Sequence, residues 1–153
     1  MSYVATVVVL VLHGVSAMLL IGAVTHQALA VWAPVHGVHE GWWSALRGVH
    51  AQRYATAVVV LFLATMALGA IDYVPFRIGA REQYLDVHVH WATGLFEIKE
   101  HTAALVLALL PAYWAVWRNV EAVRGRRSIT TLLAFGAWWN FVVGHIVNNV
   151  RGL

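Results

Sequence analysis

The sequence predicts an all-α integral membrane protein, a four-helix bundle with a short amphipathic interfacial helix between helices two and three. Three observations predict it. Of the 153 residues, 61% are hydrophobic and only 11% are charged, where soluble domains run at about 45–50% and about 25%. Mean hydropathy is +0.70. Four runs free of Lys, Arg, Asp and Glu approach or exceed the roughly 17–25 residues that a helix needs to cross a bilayer. The composition excludes a disordered chain. The absence of Cys excludes disulfides, thiolate catalysis and thiolate metal sites. The basic balance, +3 with nine uncounted His, comes mostly from arginines between apolar runs and points to a membrane surface as partner, with no nucleic acid.

The first charge-free run covers residues 1–39 and predicts a span over 3–33, ended by Pro34 and Gly37. It lacks the basic start of a signal peptide and is expected to be retained, although Ala28-Leu29-Ala30 resembles a cleavage site. The run from Tyr54 to Ile71 predicts a second span over 51–74. Pro75 to Trp91 mixes Phe76, Ile78, Tyr84 and Leu85 with Arg77, Arg81, Glu82 and Asp86, the pattern of a helix lying at the interface. His101 to Trp117 lies within a third span over 93–118, and Ser128 to Val150 predicts a fourth over 128–149. The whole chain, 1–153, reads as a single membrane domain.

Basic residues orient the bundle. Arg47, Arg53, Arg118, Arg124, Arg126 and Arg127 fall on one face, and Arg77, Arg81, Lys99 and Arg151 on the other. The positive-inside rule then puts both termini outside, in a cell membrane of the bacterial inner type.

Nine His against seven Asp and Glu is the compositional oddity. Ionisable groups at membrane depth are costly and mark function by default. Five His fall within or beside the spans, so that every helix carries one: His13 and His26, His50, His101, and His145. Topology sorts His26 and His50 to an inner layer and His101 and His145 to an outer one, with His13 in the outer half. His13 and His26 are roughly 20 Å apart along a helix but about 140° apart around it. Gly14, Met18, Gly22, His26 and Ala30 form a row of mostly small residues, as do Gly94, Glu97, His101, Ala104 and Ala108. Such rows either let helices approach closely or leave room for a flat macrocycle. Imidazole from two facing helices is the usual protein ligand set for b-type haem iron. Arg47 and Arg53 flank His50 and could pair with haem propionates, or serve as positive-inside markers. His36, His39, His88 and His90 are assigned to loops and the interface.

Glu97, Glu100 and His101 share one helical face. They form either an interfacial first turn, with Lys99 snorkelling to water, or a proton-handling cluster beside a redox centre. Together with His145, the same carboxylates could instead hold non-haem iron, copper or zinc. The layout, four spans with His on each, resembles the b-type cytochrome membrane subunits: cytochrome b561-like proteins and the haem-carrying anchors of respiratory complexes. That resemblance implies one or two haem b groups and electron exchange with a quinone and with redox partner subunits or a second copy. Its candidate ligands are His26, His50, His101 and His145, with His13 behind them. A metalloprotein or a cofactor-free anchor or assembly subunit is the alternative.

Overall fold

The computed structural model describes residues 3–33, 41, 51–119 and 121–150. These residues are helical almost throughout, and no strand occurs among them. Four long helices dominate: α1, Tyr3–Trp32; α2, Ala51–Phe76; α3, His90–Arg118; and α4, Val123–Val150. α1 ends two residues before Pro34, whose ring disfavours helical geometry in the residue ahead of it.

The segment after α2 departs from expectation. The interfacial helix does not begin anew at Pro75. Helical structure continues through Pro75 into a π-helical segment, Arg77–Leu85, and a closing α turn, Asp86–His88. Proline removes one backbone donor, and the wider turns that follow re-space the ladder, so that Asp86 N–H donates to Arg81 O, five residues back. The chain reverses only at Val89, with φ −140° and ψ 59°. Thr93 Oγ1 donates to Asp86 Oδ1 across that corner at 2.8 Å. The predicted amphipathic segment is therefore a prolongation of α2.

α1, the helix Ala51–His88 and α4 are each long and apolar enough to cross a membrane. α3 is similar in length, but its first half carries Glu97, Lys99 and Glu100. α1 pairs most closely with α2, and α3 with α4; α1 and α4 join the two pairs, and α2 and α3 meet more sparsely. The main core draws on all four helices, with Leu20 and Val24, Val58 and Phe62, Leu110 and Tyr113, and Leu133 and Ala137. A smaller second core near the Val89 corner holds Leu85, Ala92, Phe96, Val143 and Val147. α3 and α4 touch most intimately at Gly136, where a Cβ would overlap Val106. The outward faces are also apolar, with Val8, Leu12, Leu19, Leu63, Leu105 and Phe135 exposed.

Candidate functional site

Between the two cores lies a layer of polar and ionisable side chains. His13 on α1 places Nδ1 3.0 Å from Thr65 O on α2. A carbonyl only accepts, so Nδ1 carries the proton and Nε2 keeps a free lone pair. Thr65 Oγ1 donates to Leu61 O at 2.7 Å, and Ser16 Oγ therefore donates to Thr65 Oγ1 at 2.8 Å. The His13 ring lies in a socket made by Gly69, where a Cβ would stand 3.0 Å from its Cε1. Asp72, one turn further along α2, and Lys99 on α3 both lie within electrostatic reach of this imidazole.

Lys99 has a socket too. Its Cε is 3.2 Å from where a Cβ on Gly144 would stand, and its Nζ lies 5.1 Å from the Phe96 ring centroid. The long stem thus packs across α4, where the sequence suggested an interfacial lysine. On α4, Asn140 Nδ2 donates to Gly136 O at 2.8 Å, while Asn140 Oδ1 and the indole nitrogen of Trp139 are buried without a partner. Of this layer the sequence names His13, last among five candidate ligands, Lys99 as an interfacial cation, and Asn140 as a polar group near the outer layer. Ser16, Thr65, Gly69 and Asp72 acquire meaning only once α1 and α2 are in register. The one usable signal was an aspartate following a charge-free run.

The other candidates are placed differently. His26 is half-buried and stacked on Tyr54, with ring centroids 4.3 Å apart, and its Nδ1 is buried without a partner. His50 and Arg47 lie outside the described residues, and Arg53 is exposed at the start of α2. His101 and His145 are both exposed. His101 Nδ1 donates to Glu97 O at 2.7 Å, which leaves Nε2 as its open nitrogen. Of the two rows of small residues, the second faces outward, and so does the first at Met18 and Gly22, whereas His26 and Ala30 further along it turn to the bundle. Met18 is 64% exposed, and a Cβ on Gly14, Gly22 or Gly94 would meet nothing within 4 Å. Larger residues, Ser16, Leu20, Val24 and Gln27 on α1, take the inward face instead.

Glu97 and Glu100 turn to a cation that the sequence reading left on the interface. Arg81 Nη2 is 2.6 Å from Glu97 Oε1, Nη1 is 3.8 Å from Glu100 Oε2, and Nε is 3.7 Å from Asp86 Oδ1. The set Glu97, Glu100, His101 and His145 does not assemble: among the described residues no group of three or more His, Asp or Glu is placed to hold a metal ion. Nor do the described residues put two imidazoles face to face across the bundle. His101 and His13 each keep Nε2 as the ring nitrogen without a hydrogen bond.

At the opposite end of the main core, Gln27, Tyr113, Trp117 and Thr130 form a set of neutral polar groups. Gln27 Nε2 donates to Ala51 O at 2.8 Å and to Tyr113 Oη at 3.1 Å. Trp117 Nε1 donates to Thr130 Oγ1 at 3.0 Å. No family model, curated protein or solved structure matches the chain.

Proposed function

We propose that the chain is a four-span integral membrane protein, with both termini outside, that handles protons in the His13 layer within a membrane redox assembly. One observation carries this reading: between two apolar cores, His13 of α1 sits in the Gly69 socket of α2 and is hydrogen-bonded to Thr65 O, with Asp72 one turn along α2 and Lys99 of α3 packed against Gly144. Ionisable groups inside a spanning bundle are expensive and mark proton or ion pathways by default. The apolar outward faces support insertion, and α3 supplies the fourth span because it pairs with α4 along its length.

The chemistry follows from the tautomer. His13 holds its proton at Nδ1 against Thr65 O, so an incoming proton binds Nε2. Proton uptake on this ring would balance the charge of an electron arriving nearby, which couples the two events. The resemblance to b-type cytochrome subunits supplies the redox group, haem b, which carries single electrons; His101 would hold it through Nε2. Quinone is the acceptor that combines electrons with protons, and redox partner subunits or a second copy complete the assembly.

Reconstitution tests this. Liposomes holding the protein and a trapped pH dye should relax an imposed pH gradient at least several-fold faster than liposomes holding His13→Ala or Asp72→Asn. Equal relaxation in all three would end the proton-handling reading. A reduced-minus-oxidised spectrum of the purified protein decides the redox group: a b-type band is expected, and a featureless spectrum removes haem and quinone while leaving the proton path to the dye assay.

A further inference from the structure

The arginine-rich end of α4 carries a second feature. Trp32, Arg124, Arg127, Ser128, Thr131 and Leu132 line an open groove of about 550 Å³ between the end of α1 and the start of α4. Its wall is fixed by a chain of bonds. Trp32 Nε1 donates to Thr131 Oγ1 at 2.8 Å, Thr131 Oγ1 donates to Arg127 O at 2.8 Å, and Arg127 Nε donates to Val31 O at 3.1 Å. The Arg127 guanidinium lies 5.1 Å from the Trp32 ring centroid. Arg124 makes no hydrogen bond or ion pair with any described residue.

The lining is two-natured. Two arginines and a serine stand at the polar end, with no acidic residue among the lining groups, and Leu132 and the indole of Trp32 form the apolar side. Neighbouring Arg–Trp pairs set the same level on the rest of this face. Arg118 stacks on Trp114 at 3.6 Å, and Arg126 lies 5.7 Å from the Trp117 centroid. Tryptophan and arginine together mark the headgroup level of a bilayer.

We infer that this groove is a binding site for one anionic phospholipid, whose phosphate meets Arg124, Arg127 and Ser128 while an acyl chain lies along Trp32 and Leu132. Guanidinium is the cation suited to forked contact with phosphate oxygens. The inference rests on the spanning reading above, because an acyl chain reaches Leu132 only from a surrounding bilayer.

The test uses the full chain in nanodiscs of mixed phosphatidylcholine and phosphatidylglycerol, released into the gas phase so that retained lipids are counted by mass. Phosphatidylglycerol should be retained over phosphatidylcholine. Arg124→Gln should lower that preference about fivefold, the worth of one basic residue at an anionic surface. Arg124→Lys should keep most of it, and Arg77→Gln, at the far end of the bundle, should change nothing. Excess inorganic phosphate should fail to displace the lipid. Displacement by phosphate would make this a free-phosphate site and overturn the lipid assignment, as would equal retention of the two lipids or indifference to Arg124→Gln. Alkaline carbonate extraction of the membranes separates the two readings. Release of the protein would defeat the spanning reading itself, whereas firm retention without lipid preference would defeat the groove alone.

Discussion

The two halves of the bundle solve the same problem with different chemistry. In the arginine-belted half, two pairs of neutral side chains meet inside the core: Gln27 with Tyr113 and Trp117 with Thr130. Gln27 is 1% exposed and Tyr113 0%, so the pair is sealed by the largest apolar cluster. In the other half, the ionisable His13, Asp72 and Lys99 are half-buried, and the second core beyond them is small. Glycine marks the contrast. Gly136 lets α3 and α4 close on each other, whereas Gly69 and Gly144 make room for a ring and for an ammonium stem. Close packing fixes one half, and space held open for ionisable groups defines the other.

The largest effect should come from Gly136→Val. Its side chain would enter space held by Val106, and overpacking of this kind costs typically about 1–3 kcal/mol, with more where the helices must part. Unfolding in mild detergent followed by helicity should show a clear loss of stability. Gly22→Val, on the outward row with nothing near its Cβ, should stay within about 0.5 kcal/mol of the wild type. Equal effects would mean that the assignment of inward and outward faces is reversed.

A smaller difference separates Gln27→Ala from Arg81→Gln. The first strands the Tyr113 hydroxyl and the Ala51 carbonyl in a dry core, at a cost of about 1–3 kcal/mol that salt should not change. The second removes the cation of a network whose carboxylate partners are partly exposed, Glu97 by 51% and Glu100 by 38% of their side chains. Such pairs are worth up to about 1 kcal/mol and weaken with ionic strength. Detergent unfolding at low and high salt should therefore separate the two variants. A salt-sensitive Gln27→Ala loss would place that pair in contact with water.

This contrast also explains what the sequence disclosed. The helices were legible because charge-free runs and proline positions act locally: Tyr3–Trp32 stops just before Pro34, although His90–Arg118 starts eleven residues ahead of its charge-free run and passes through Pro111. The continuation through Pro75 was not, since a π-helical stretch keeps the residue types of an amphipathic α-helix and changes only the ladder. Helix facing was misread for a physical reason. A row such as Gly14, Met18 and Gly22 looks like a groove when small residues are taken to face a neighbour, but in an apolar chain hydrophobicity does not distinguish lipid from core. Size and polarity do, and Ser16, Thr65 and Gln27 were the residues that marked the interior. The carboxylates Glu97 and Glu100 were found, but Arg81, sixteen positions before Glu97, was beyond any local pattern.

The smallest change in stability should accompany the most informative change in behaviour. Gly69→Ala adds one methyl group, which would stand 3.0 Å from His13 Cε1 and 3.3 Å from its Nδ1. The ring must give by a few tenths of an ångström, and it can do so by turning about its own bonds, so the fold should lose no more than about 1 kcal/mol. The turn, however, moves Nδ1 away from Thr65 O, and that bond is what keeps Nε2 open to an incoming proton. Proton relaxation in liposomes should therefore fall several-fold in Gly69→Ala while detergent unfolding scarcely changes. Gly144→Ala, whose methyl would meet only the flexible Lys99 stem at 3.2 Å, should leave both measurements near the wild type. If Gly69→Ala slows nothing, the His13 tautomer is irrelevant to the activity, and the layer between the cores serves only to tie α1 to α2 through Ser16 and Thr65.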